Sequence, residues 1–192
     1  MLEPVTTARR RATYQDLIEV PAHLVAEIID GELVTSPRPA SPHALAAMRI
    51  GVDLGGPFDR PAGGGVPGGW CLLFEPELHL GEDVIVPDLA AWRRERMPAI
   101  PNVAAFTQPP DWVCQILSPT TGAIDRGRKM RIYAREQVGH LWIVDPLAGT
   151  LEIYRLERDD WVVASTHGGS ERVRPEPFDA VELDITRWWL ES

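Results

Sequence analysis

The sequence predicts an α/β fold of the α+β kind with a hairpin added at its N-terminus. Three observations lead there. Apolar runs with helical period at residues 41–54 and 123–136 alternate with short runs of strand length rich in β-branched and aromatic residues. An Asp30-Gly31 pair between two apolar stretches marks a tight hairpin. The chain has 192 residues, 44% hydrophobic and 24% charged, which suits one globular domain over residues 1–192 with a real core.

Taken in order, Thr13 and Asp16 have the spacing of a capping box, and start a short helix through Val20 that Pro21 stops. Residues 25–29 and 32–35 are the hairpin strands, because Asp-Gly tolerates the positive φ values of a two-residue type I′ turn. Ser41 as N-cap and Pro42 at the first position begin a helix to Leu54, with Leu45, Met48 and Val52 on its apolar face. Residues 55–69 hold seven glycines and three prolines, a composition read as a loop inserted in the domain; no phosphate-binding glycine motif is present.

Strands are predicted at 70–80, 84–92 and 112–117, then a helix from Ala123 to Glu136. Further strands at 141–144, 151–156 and 161–165 are joined by turns at 146–149 and 157–160. Asp184 caps a last helix containing Trp188, Trp189 and Leu190, and the paired tryptophans are expected to pack rather than bind.

The formal charge of -9 argues against non-specific coating of nucleic acid or anionic membrane. Residues 87–136 differ: eight Arg or Lys stand against five Asp or Glu, a local net of +3. Cys71 and Cys114 sit in apolar runs and are expected to be buried free thiols. Arg9, Arg10 and Arg11 are followed by no apolar signal region, and no apolar stretch reaches membrane-spanning length, so a cytoplasmic location is expected.

Lys129 is the only lysine, against eighteen arginines. A surface cation exchanges readily with arginine, whereas a working amine cannot, because guanidinium is planar and stays protonated. At about 100° per residue, Arg128, Arg131 and Arg135 form one stripe of the predicted helix, while Lys129 falls with Asp125, Ile132, Tyr133 and Glu136. An ordinary Asp125–Lys129 surface pair, worth about 0.3–0.5 kcal/mol, is the competing account.

In the strand before that helix, Gln115 shares a face with Asp111, Val113 and Leu117, and is the one polar group in an apolar run. A buried amide needs partners or a cavity. Pro87-Asp88 and Pro110-Asp111 lie upstream. Asp111 is about 13 Å along the strand from Gln115, too far to share an ion. Asp88 on a neighbouring strand is not so restricted, and with the Gln115 oxygen and the Lys129 amine it would make an oxygen-rich site for Mg²⁺ or Mn²⁺.

The run PPDWVCQILSPTTGAIDRGRKMRIYAREQVGHLWIVDPLAGTLEIYRL at 109–156, with IIDGELVTSP at 28–37, His43 and VPDLAAW at 86–92, resembles the Uma endonuclease family. That family is a branch of the PD-(D/E)XK restriction-endonuclease-like superfamily. The resemblance implies an αβββαβ core with a mixed central sheet and a Mg²⁺-dependent DNA endonuclease. It implies that Asp88 and position 115 bind the metal, and that Lys129 orients or polarises the attacking water after migrating from the strand to the helix. Arg128, Arg131 and Arg135 are then candidates for DNA phosphates.

Gln115 departs from the family's glutamate and lowers the charge available to a metal. Glu75 and Glu77 could compensate, although both are expected to face solvent. Glu32 is expected to serve its hairpin, and His43 the first turn of its helix. The alternative is a catalytically weakened nuclease fold acting as a binding or regulatory module. A homodimer is compatible with cutting two strands.

Overall fold

The computed structural model describes residues 10–190, so Arg9 lies outside the described residues. Helix α1, Tyr14–Ile18, begins with the expected box: Thr13 accepts from the Asp16 amide, and Asp16 Oδ2 accepts from Thr13 N–H at 2.7 Å. Strands β1, Leu24–Ile29, and β2, Glu32–Pro37, pair through a two-residue turn with φ of 53° at Asp30 and 80° at Gly31. Both values lie in the left-handed region that the Asp-Gly pair was expected to occupy.

Helix α2, Ser41–Phe58, corrects three expectations. Its N-cap is Ala40, and it continues through Gly55, Gly56 and Pro57. The extension has a packing cause: Phe58 is buried, with its ring 4.8 Å from that of Phe178. The expected apolar face is also displaced, since Met48 is 60% and Val52 61% exposed, while Ala46, Ala47, Ile50 and Leu54 face the core. Ile50, Leu54 and Phe58 recur at the helical period and fix the buried face, and Ala46 and Ala47 on it let α2 lie close to the sheet.

The remaining strands are β3 Trp70–Phe74, β4 Leu78–Leu80, β5 Asp83–Ile85, β6 Leu89–Arg93, β7 Trp112–Ile116, β8 His140–Asp145, β9 Thr150–Glu157, β10 Asp160–Gly168, β11 Arg172–Val173 and β12 Leu183–Asp184. Six of them form a mixed sheet ordered β10-β9-β8-β7-β6-β3, in which only β7 and β8 are parallel. A second sheet is ordered β2-β1-β5-β4, and β11 pairs with β12. The two long strands predicted at 70–80 and 84–92 are therefore each divided between sheets. In chain order, α2, β3, β6, β7, the helix after β7 and β8 give the αβββαβ core.

The helix after β7 is composite, with an α turn at Gly122–Ile124, a π turn at Asp125–Lys129 and an α segment at Met130–Arg135. The large sheet separates two apolar clusters. Trp112, Cys114 and Ile116 point into the one under α2, with Trp70, Trp142, Phe178 and Trp188. Val113 and Leu117 point into the other, with Ile132 and Tyr133 of the composite helix. Cys71 and Cys114 are buried free thiols. Trp188 packs in the core, as its pairing suggested, but the last helix is only a 3₁₀ turn, Ile185–Trp188, capped by Asp184. Among the described residues no helix is long and apolar enough to cross a membrane.

Candidate active site

Two breaks in the strands build the site. At Glu75 a φ of 45° turns the chain out of β3, and at Val86-Pro87-Asp88 it passes from β5 in one sheet to β6 in the other. Glu75 N–H donates to the Asp88 carbonyl at 3.0 Å and holds the two breaks together. Proline has no donor for a ladder, so pairing lapses here. Carboxylates take over nearby backbone donors: Val86 N–H donates to Glu27 Oε1 at 2.7 Å, and Ile116 N–H to Asp88 Oδ2 at 2.6 Å.

Asp88, Gln115 and Lys129 line one cavity of about 240 Å³, together with Glu27, His43, Glu75 and Asp125. The composite helix delivers Lys129 through its π turn, a distortion frequent at functional sites. Lys129 is 4% exposed; its Nζ lies 2.9 Å from Glu27 Oε2 and 3.2 Å from Asp125 Oδ1. Asp125 is thus half of a buried network, and the surface-pair account does not apply. Burial alone would lower the Lys129 pKa, but Glu27 and Asp125 override it and hold the ammonium above its ordinary value. Two carboxylates share that one cation, so burial still raises Glu27 and Asp125 above the usual carboxylate range.

Gln115 is buried on the face of β7 predicted from its alternation, with Val113 and Leu117. Its Nε2 donates to Tyr133 Oη at 2.6 Å, and among the described residues no donor reaches Oε1. The amide oxygen of a cavity-lining side chain is left available. Asp88 Oδ1 lies 3.0 Å from His43 Nε2, so His43 does more than stabilise the first turn of α2. Burial opposes protonation of His43, and the Asp88 contact outweighs it to raise the pKa.

Glu75 is half-buried and lines the same cavity, against the expectation that it faces solvent. Burial first, and the Asp88 charge second, push its carboxyl up. Glu77 accepts from Tyr14 Oη at 2.9 Å and approaches His79 at 2.7 Å, outside this cavity. The second Pro-Asp is structural: Asp111 accepts from Arg93 N–H and Arg96 Nη1, both at 2.7 Å.

The arginine stripe is not aimed at the cavity. Arg128 donates to Asp30 at 2.8 Å, to Glu32 at 2.9 Å and to the Ile29 carbonyl, locking the composite helix to the hairpin turn. Arg135 is held by Asp83 and Glu136 at 2.9 and 2.8 Å. Arg131 is 70% exposed and lies 3.9 Å from Asp30. Glu27 was missed in the sequence, yet the signal that exposed Gln115 was there: one charged residue inside the apolar strand Leu24–Ile29.

The donor set suits a hard cation that keeps much of its water. Among the described residues no three His, Cys, Asp or Glu side chains are grouped to hold a metal. One or two carboxylates, an amide oxygen and water are enough for Mg²⁺. The Asp88 carboxylate and the unpartnered Gln115 oxygen fit that need.

A β3-β6-β7-β8 core, with an aspartate entering β6, a polar side chain in β7 and a buried lysine on the next helix, defines a nuclease fold of the restriction-endonuclease-like class. The fold is shared with a solved structure from Anabaena variabilis described as a "putative nuclease belonging to DUF820": 19% identity over 93% of this chain and 97% of that one, with a TM-score of 0.73. Residues 11–186 match the family Uma2, "Putative restriction endonuclease", and the chain belongs to that family. Among curated proteins none matches the chain.

Proposed function

We propose that the chain, acting as a single domain in the cytoplasm, is a Mg²⁺- or Mn²⁺-dependent endonuclease that hydrolyses phosphodiester bonds in DNA. The observation that carries this is the sole lysine, buried as an ammonium in the cavity that Asp88 and Gln115 also line. Asp88 and Gln115 would hold the cation through oxygen, and such an ion supplies Lewis-acid activation of water and neutralisation of phosphate charge.

Lys129 keeps its proton, so it is not the base. Glu27 holds the ammonium at 2.9 Å and Asp125 lies at ion-pair distance, 3.2 Å, so an N–H not taken by Glu27 can orient water or a phosphate oxygen. Arg38, at the rim of the same cavity, and the exposed Arg131 are the phosphate contacts this reading favours. Arg128 and Arg135 would first have to leave their carboxylates. A homodimer would present two such sites to a duplex, and the exposed Met48, Val52 and Phe74 beside the cavity are suited to such a contact.

Gln115 favours a second reading, a nuclease fold weakened in catalysis that binds without cutting. Plasmid cleavage with Mg²⁺ or Mn²⁺ separates the two. Metal-dependent nicking by the wild type that disappears in Asp88→Asn and Lys129→Ala supports the nuclease. Cleavage unchanged in Lys129→Ala removes the proposed centre. A wild type that binds DNA without cutting, while Gln115→Glu cuts, establishes the weakened form.

A further inference from the structure

We propose that Glu75 is the second carboxylate of the cation site at Asp88 and supplies the negative charge that Gln115 lacks. This rests on the nuclease reading and adds a ligand to it. Residues 75 and 88 face each other just beyond the Phe74–Leu89 end of the β3–β6 ladder, joined by the 3.0 Å bond from Glu75 N–H to the Asp88 carbonyl. Both side chains line the same cavity.

The other acids near the site are committed. Glu27 and Asp125 are counterions of Lys129, and Glu77 is held by Tyr14 and His79. Among the described residues no hydrogen bond or ion pair reaches the Glu75 carboxylate. Gln115 points independently to a ligand: the side chain is 2% exposed, its Nε2 is taken by Tyr133, and its Oε1 is unpartnered in this cavity. That oxygen belongs to a side chain lining the cavity, where water or a cation can meet it. An oxygen set of Asp88, Glu75 and Gln115 with water matches a hard divalent cation.

The test is Mn²⁺ binding by the full chain, read from loss of the free-Mn²⁺ paramagnetic resonance signal and from the Mn²⁺-induced rise in Tm. Glu75→Gln should weaken binding by about tenfold or more, since loss even of a group that only supports a metal ligand costs about 10–100-fold. It should unfold near the wild-type temperature without Mn²⁺ and lose the Mn²⁺-induced rise. Glu77→Gln should bind as the wild type does, and Glu75→Gln combined with Gln115→Glu should recover affinity. If Glu75→Gln binds as tightly as the wild type while Asp88→Asn does not, Glu75 is no ligand and the Asp88 site stands. A wild type that takes up no Mn²⁺ at millimolar concentration overturns both the metal reading and the role of Glu75.

Discussion

Replacing Lys129 by Met tests whether the buried ammonium holds the site together. Methionine fills similar space without charge and leaves Glu27 and Asp125, both beneath the surface, facing each other. Removing one partner of a buried ionic network costs about 3–5 kcal/mol, because the remaining charge is neither solvated nor paired. For a chain of this length that is a fall in Tm of roughly 6–20 °C. The pH dependence is the sharper readout. Burial already raises both carboxyls in the wild type, with Lys129 opposing the shift, so the variant should raise them further. A group whose folded pKa exceeds its unfolded value gives stability that is present below the unfolded pKa, at about pH 4, and lost as pH rises through the folded one. Urea unfolding of Lys129→Met should therefore show a small deficit near pH 4 that grows toward pH 8. Adding Glu27→Gln should recover part of it at pH 8. A deficit below about 1 kcal/mol at pH 8, or one that does not grow with pH, refutes the network as the holder of Lys129.

Two further outcomes separate structural from nucleic-acid roles within the arginine stripe. Arg128→Ala should lower stability by about 2 kcal/mol in urea unfolding, since charged hydrogen bonds from the composite helix to the hairpin turn are lost. Arg131→Ala should leave stability within about 0.5 kcal/mol of the wild type. If it contacts phosphate, it should reduce the slope of log affinity against log salt by about 1, read by fluorescence anisotropy on duplex DNA. An unchanged slope would remove Arg131 from the interface.

The parts of the fold that local chemistry controls were legible. The Thr13–Asp16 cap, the Asp30-Gly31 turn and the alternation of β7 all follow from residues within a few positions of one another. What the sequence hid was set by contacts across the chain. Nothing local to Gly55–Phe58 favours a helix; Phe178 supplies the reason from 120 residues further on. The breaks at Glu75 and Pro87 exist because the chain changes sheets there, so two continuous apolar runs became four strands. The arginine stripe had the spacing of a phosphate-binding face, but the acids that hold Arg128 lie on a hairpin almost a hundred positions away. Asp88, Gln115 and Lys129 were readable one by one, whereas the places of Glu27, His43 and Glu75 in the same cavity needed the seam between the sheets.

That seam also lets a lysine on the helix after β7 reach the cavity that Asp88 and Gln115 line. Two positions after Gln115, where a lysine would complete the (D/E)XK spacing, stands Leu117, which packs with Ile132 and Tyr133 beneath the sheet. An amine entering from the helix has to cross that apolar layer, and Lys129 does so as an ion only because Glu27 and Asp125 accompany it. Those two carboxylates are then unavailable to a metal. With a neutral residue at 115, Asp88 would face a cation alone, and its Oδ1 is already shared with His43. On the proposed reading, further negative charge would have to come from an acid outside the Lys129 network, and the turn at Glu75 brings one to the same cavity. The place of Glu75 would on that reading let a centre with a neutral residue at 115 still offer a divalent cation a second negative charge.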